Sequence, residues 1–310
     1  MPHSKPRILC FGGLHYDEII RCEADTIFSE SNPASRTQAP GGVALNVART
    51  LAALGNTVGL SSRVGADREG VELLDYVTRL DITAVSIQTD NTRPTACYTA
   101  VLDHTGNLIL GLADMAIYDD FKPAHWQHGK QAIQHWDHWC VDTNLPADTL
   151  HYLASEKADR LLFAVVTSPA KAHRLRQVLP TLDAVFANNA EADTLVNSNT
   201  GTLQTIEEQA RALCDLGALR AIVTAGVNGA AWADPDRSGH IASPSISPQS
   251  VSGAGDVLAG TTIAALLSGE TLEQALTYGT CAATLSTLSD MNDPHLSWPM
   301  IKEKLAHNDA

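Results

Sequence analysis

The chain has 310 residues, 44% hydrophobic and 18% charged, with a formal net charge of −14, so it can bury a sizeable core as one large or two modest domains. That acidity removes any long-range attraction to phosphate backbones or anionic lipid and excludes a nucleic-acid or membrane-surface role. The leading apolar stretch is too short for export, no run approaches a bilayer span, and the six scattered cysteines form no C-x-x-C pair, so the expectation is a cytoplasmic protein without disulfides or a cysteine zinc site.

In chain order, short apolar runs alternate with helical patterns, the signature of crossover units and a mostly parallel sheet. The first strand is predicted at "RILCFGG" (7–13), and the stretch from about 15 to 40 then reads as strands without an intervening helix. "ALNVARTLAALG" predicts a helix with Ala44, Val47, Ala48, Leu51 and Leu54 on one face and Gly55 as its stop. A strand follows at "TVGLSSRVG" (57–65). "TACYTAVLDHTGNLILGLA" (95–113) reads as two strands joined at "DHTGN". Together with residues 15–40 these predict a small sheet beside the main one.

"HWQHGKQAIQHWDHW" (125–139) is the only local histidine cluster. It reads as the wet face and edge of one helix, with metal binding as the lesser alternative. Further strands are predicted at "HWCVDT" (138–143), "RLLFAVV" (160–166), "AVFANN" (184–189), "RAIVTAG" (220–226) and "GAAWAD" (229–234). The Ser/Pro-rich "SGHIASPSISPQS" (238–250) reads as an extended lead-in to "VSGAGDVLAG" and to a helix, "DVLAGTTIAALLSG", that ends at Gly269.

This last region carries the most chemistry. Gly253 and Gly255 allow tight turning and close approach of a ligand, and bare amides at a helix start, with the helix dipole, make an anion site. Asp256 beside that site repels an anion that is merely bound. A carboxylate there makes sense if it takes a proton from a hydroxyl while the amides stabilise a transferred phosphoryl group. The alternative is a favourable acid in a first helical turn, with the glycines serving packing. No G-x-x-x-x-G-K-[ST] and no G-x-G-x-x-G occurs, so a P-loop ATPase and a nicotinamide dehydrogenase are unsupported.

On these residues the chain resembles the ribokinase-like (PfkB) carbohydrate kinases. "PGGVALNVARTLAALG" (40–55) is similar to their Gly-Gly signature, "VSGAGDVLAG" to their G-A-G-D signature, "NNAE" (188–191) to their N-x-x-E motif and "VTAGVNG" (223–229) to their nucleotide-binding strand and turn. The resemblance implies one domain over 1–310: a three-layer α/β/α sandwich with a mostly parallel central sheet and a β lid whose strands lie within about 15–40 and 93–118. Within the family, "ESNPASRTQAPGGV" (30–43), "RPTACYTAVLDHTGNLILGLADMAIYD" (93–119) and "NDPHLSW" (292–298) resemble the pseudouridine kinase branch. The expected activity is ATP-dependent phosphorylation of the 5′-hydroxyl of a ribosyl nucleoside, pseudouridine first, with a free-sugar kinase, a kinase of another nucleoside and a non-catalytic sensor as alternatives.

The resemblance also implies roles. Asp256 is the general base, with the Gly253, Ala254 and Gly255 amides as the anion hole. Asn188 and Glu191 hold Mg²⁺ through water, unless "NNAEADTL" is only a helix cap followed by acids. Asn188, Thr224, Gly226 and Gly229 line the ATP site, the last three otherwise being a simple β-turn. Asp17, Gly41, Gly42 and Asn46 contact the sugar, and Thr95 and Tyr98 cover the base, with core packing as the other reading of Tyr98. His15 stands where many members have Asn, and Leu45 where pseudouridine kinases often have Arg. "AVVTSPAK" (164–171) keeps only Ser168 and Lys171 of D-P-V-S-x-x-K. K⁺ is a further cofactor of many relatives, but Ser250 replaces the Asp whose neighbourhood supports that site. Open lid edges lead to an expected homodimer through the lid.

Overall fold

The computed structural model describes residues 5–127, 130–196, 205–244, 253–288 and 296–308. Strand β1 (Arg7–Phe11) sends Ile8 and Cys10 into one core and Leu9 and Phe11 into another. A strand covered on both faces must be apolar throughout, which is why it reads as an unbroken run. β2 (His15–Cys22) and β3 (Ala34–Gly41) follow as an antiparallel pair. Their connection is shaped by Asn32, which accepts from the Ile27 amide at 2.8 Å and donates to the Ile27 and Glu30 carbonyls, so the S-N-P segment has a local structural purpose.

After α1 (Val43–Ala53) come β4 (Thr57–Ser61) and β5 (Arg63–Gly65), then α2 (Arg68–Arg79), which Asp67 caps by accepting from the Gly70 amide. β6 (Thr83–Ala84), β7 (Gln88–Asp90), β8 (Cys97–Leu102) and β9 (Leu108–Asp114) precede two short helices, α3 (Ala124–Gln127) and α4 (Lys130–Gln134). Then β10 (His138–Asp142), α5 (Ala147–Glu156), β11 (Leu162–Val165), α6 (Pro169–Ala172), β12 (Ala184–Asn188), α7 (Asn189–Val196), α8 (Ile206–Asp215) and β13 (Ala221–Thr224) alternate. β14 (Ala230–Ala233), β15 (Ser238–Ile241), α9 (Ala254–Leu267), α10 (Leu272–Thr287) and α11 (Trp298–Asn308) complete the chain.

Among the described residues nine strands form one sheet, in the order β15, β14, β13, β12, β11, β10, β1, β4, β6. It is parallel except where β14 and β15 turn antiparallel at one edge. One face packs on α1, α2, α9, α10 and α11, the other on α3 to α8, giving the expected three layers. The second sheet, β3, β2, β8, β9, is the lid, and its strands fall in the two stretches that lack helical period. No described helix is long and apolar enough to cross a membrane.

Three expectations need correction. The strand expected over 57–65 breaks at Ser62, whose hydroxyl donates to the Gly12 carbonyl at 2.5 Å; β4 stays in the main sheet while β5 leaves to pair with β7. The histidine-rich stretch is not the wet face of one helix. Trp126 and Trp139 are fully buried against Phe11, so it folds as two helical turns and a strand that anchor one core. No group of three or more His, Cys, Asp or Glu among the described residues could hold a metal. The lead-in expected over 238–250 instead starts with β15, paired antiparallel to β14; residues 245–250, Ser250 among them, lie outside the described residues, as do 292–295 of "NDPHLSW".

Candidate active site

Strand order reverses around β1, which lies between β10 and β4, so the carboxyl ends of β1 and β10 open a crevice where open α/β sheets bind ligands. Asp142, the last residue of β10, fills its floor. Its Oδ2 accepts from the Gly13 amide at 2.8 Å and the Ala44 amide at 3.0 Å, and its Oδ1 from the Asn144 amide at 2.8 Å. One carboxylate thus ties the turn after β1 to the start of α1. Burial raises its proton affinity, opposed by those donors and by the nearby Lys171 ammonium. At the start of α1, Gly42 has φ +107°, a conformation that favours glycine, and a Cβ there would meet the Gly13 carbonyl oxygen at 2.5 Å.

The start of α9 is built differently. Gly253 caps it in the left-handed conformation at φ +75° with no side-chain bond, and the Ala254 and Gly255 amides find no partner among the described residues. A Cβ at Gly255 would stand in open space. Where the first turn of α1 is satisfied by a protein carboxylate, that of α9 offers donors without a partner among the described residues and a positive dipole end. Residues 251 and 252 of the same motif lie outside the described residues.

Asp256 follows in the first turn. Its Oδ2 accepts from Asn46 Nδ2 at 2.8 Å, a contact across 210 residues made possible where α1 and α9 press together: a Cβ at Gly260, one turn on from Asp256, would meet Thr50 Cβ at 2.8 Å. Burial raises the Asp256 carboxyl to about 7, opposed by the Asn46 bond and reinforced by Asp142, Asp17 and Glu191. A value near neutrality suits a general base, which must both accept and release a proton at working pH.

Asp256 and Gly255 line a cleft of about 150 Å³ with Asn188, Glu191, Thr224, Thr167 and Phe186 among its other walls. Asn188 and Glu191 form a reciprocal cap at the start of α7: Asn188 N donates to Glu191 Oε2 at 2.8 Å, and Glu191 N to Asn188 Oδ1 at 3.0 Å. The capping alternative is therefore realised, yet both residues also face the cleft. Burial pushes the Glu191 carboxyl up to about 7, with only Asn188 opposing it. Gly226 opens a turn with nothing near its missing Cβ, whereas a Cβ at Gly229 would strike the Ile241 carbonyl of β15. Gly229 is thus accounted for by backbone packing.

On the lid side, Asp17 lies against Gly41, where a Cβ would land on its carboxylate. His15 is buried, its Nε2 3.4 Å from Asp17 Oδ1. Tyr118 holds the neighbouring backbone, its hydroxyl accepting from Leu14 N and donating to Leu14 O, both at 2.8 Å. Thr95 is buried in the segment leading into β8: its hydroxyl donates to Asp67 at 2.5 Å and accepts from the Gly65 amide at 2.9 Å. Tyr98 pairs in register with Asp17 on the lid, and its ring reaches across to Gly111 of β9. Thus Asp17, His15, Gly41, Gly42, Asn46 and Asp256 converge. Thr95 anchors the lid's base.

The sequence reading missed Asp142, Asn144 and the placement of Lys171, whose Nζ donates to Asn144 Oδ1 at 2.6 Å. A signal was present: "VDTNLP" puts an acid at the carboxyl end of a buried parallel strand, where crevice residues concentrate.

The profile of the pfkB family carbohydrate kinases matches residues 5–292. The pseudouridine kinase of Escherichia coli is 25% identical over 297 residues, covering 95% of each chain. A carbohydrate kinase structure from Agrobacterium tumefaciens superposes with a TM-score of 0.84 at 30% identity, covering 97% of each chain. The ribokinase of Arabidopsis thaliana, solved with ribose and ATP, gives 0.84 at 18% identity over 97% of this chain and 99% of that one.

Proposed function

This chain belongs to the pfkB family of carbohydrate kinases, and from that membership we propose that it transfers the terminal phosphoryl group of ATP to the 5′-hydroxyl of a ribosyl nucleoside, pseudouridine first. The observation that carries this reading is Asp256: an acid near neutrality, beside helix-start amides that have no partner among the described residues, at the junction of a cleft and the double-glycine loop. A sensor that only bound its ligand has no use for a proton acceptor there. The E. coli relative supports the nucleoside, and the lid motifs around "ESNPASRTQAPGGV" support the same branch.

In this mechanism one oxygen of Asp256 is held by Asn46, and the other takes the proton of the substrate hydroxyl as its oxygen attacks the γ-phosphorus and ADP leaves. The Gly253, Ala254 and Gly255 amides stabilise the charge on the moving phosphoryl group. Asp17, Gly41, Gly42 and Asn46 orient the sugar, with His15 holding Asp17. Thr224 and Gly226 border the nucleotide. Asn188 and Glu191 would hold Mg²⁺ through water: a buried carboxylate with no described cation beside it opens on the cleft, a donor set that suits an ion retaining most of its hydration. When bound, the ion neutralises charge on the phosphates. Six free cysteines suit a cytoplasmic setting.

Supplied with ATP and pseudouridine, uridine, inosine, ribose or fructose, the enzyme is expected to consume pseudouridine with a kcat/KM at least about tenfold above the others, a difference of roughly 1.4 kcal/mol in transition-state binding. Preference for a free sugar would overturn the nucleoside assignment and keep the phosphoryl chemistry. The lid leaves Leu110 and Leu112 about half exposed beside its open β9 edge, which supports pairing of two lids. Light scattering should then give twice 33.0 kDa for the wild type and 33.0 kDa for Leu112→Arg. A wild-type monomer would sink the dimer.

A further inference from the structure

One turn along α1 from Asn46, Arg49 is buried at 7% exposure, and no described carboxylate lies within ion-pair distance of it. Its Nη2 donates to Asn46 Oδ1 at 3.1 Å and its Nη1 to the Tyr76 hydroxyl of α2 at 3.2 Å. Burying a guanidinium without a paired anion is costly, so its position asks for a reason. The donor chemistry supplies one. Arg can only donate, whereas the Asn amide has one accepting and one donating end. Contact with Arg49 claims the oxygen and leaves the NH₂ to face Asp256. The flipped amide would set carbonyl against carboxylate and NH₂ against guanidinium, both repulsive.

We propose that Arg49 is a positioning residue for phosphoryl transfer: through Asn46 Oδ1 it locks the Asn46 amide with its NH₂ on Asp256, and it passes part of its positive charge to that carboxylate. The inference rests on the assignment of Asp256 as base. Consecutive hydrogen bonds polarise one another, so the run from Arg49 through Asn46 to Asp256 strengthens its last link, while the second donor of Arg49 fixes the guanidinium on the Tyr76 hydroxyl. The other ionisable groups around Asp256 are the acids Asp17 of β2, Asp142 of β10 and Glu191 of α7, together with the buried Cys140 thiol. The acids favour its protonated form. Arg49 opposes them through one intervening side chain.

The test compares wild type, Arg49→Met and Arg49→Lys for kcat, KM for ATP and the kcat–pH profile, with thermal melting as the folding control. Arg49→Met is expected to lower kcat about 10- to 100-fold, with KM for ATP within about twofold and the acid limb of the profile moved up by about half a unit or more. Arg49→Lys should recover part of the loss, because an ammonium still donates to Asn46 but cannot also bridge to Tyr76. A folded Arg49→Met with wild-type kcat and pH profile overturns the proposal, as does Arg49→Lys no better than Arg49→Met. Should Arg49→Met not fold, Arg49→Gln, which lacks the charge, decides by the same readouts: a lowered kcat and raised acid limb with unchanged KM for ATP support the role, and a wild-type kcat and profile overturn it. Failure of the kinase reading is seen separately, in a wild type that consumes no substrate of the panel, and the relay falls with it.

Discussion

Asp256→Asn is expected to lower kcat by about 10²- to 10⁴-fold, the range supplied by a positioned general base, while KM for ATP stays within about twofold. The amide keeps the shape and can still meet Asn46, but it cannot accept the hydroxyl proton. In the wild type, kcat should rise about tenfold per unit up to pH 7 and level off above it, because burial lifts this carboxyl to about 7 and only its ionised form is the base. The same shift has an opposite effect on stability. The folded chain holds this proton up to about pH 7, whereas an unfolded carboxyl releases it near 3.8, so the stabilisation is full below 3.8 and drains as pH rises to 7. Above pH 7 the charged Asp256 costs stability. Asp256→Asn should therefore be more stable than wild type at pH 8, by on the order of 1–3 kcal/mol in denaturant unfolding after allowance for the open cleft beside it. Activity lost with stability gained marks a functional acid. Activity retained at pH 8 removes Asp256 from the chemistry.

The second large effect concerns a residue that touches no reacting atom in the proposed mechanism. Asp142→Ala is expected to cost about 3–5 kcal/mol, because it strands the buried amides of Gly13, Ala44 and Asn144 at once and each unmet donor costs about 1–3 kcal/mol. Total stability of a domain is only about 5–15 kcal/mol, so the midpoint of thermal unfolding should fall by roughly 10 °C or more. Asp142→Asn keeps one accepting oxygen and should fall between the two. Activity should decline with stability, since the start of α1 sets where Asn46 meets Asp256. A loss under about 1 kcal/mol in Asp142→Ala, read by denaturant unfolding, would show that the floor of the crevice holds without its acid.

The unbroken apolar run of β1, the helical face of α1, the helix-free lid stretches and the glycine-flanked Asp256 are all legible in the chain, because each is a local pattern: an apolar run, a period of 3.6 or its absence, or a fixed spacing within one turn. The family resemblance rests on the same short-range signals. Harder cases are those in which one pattern has two uses. "NNAE" is both a helix cap and a wall of the cleft, and no spacing separates the roles. Trp126 sits in a polar, histidine-rich stretch, and only Phe11 and Phe121 packing against it reveal a core residue.

What tertiary structure alone decided is how distant segments meet. Asp142 reaches amides 129 and 98 residues away, Asn46 reaches Asp256 across 210, and Arg49, whose role no motif announces, joins that contact. Strand β15 likewise exists because β14 offers an edge to pair with. Local pattern encodes which face of a segment is buried and which backbone angles it can adopt. Which donor faces which acceptor depends on the packing of whole elements, such as the close approach of Thr50 to Gly260 that brings α1 onto α9.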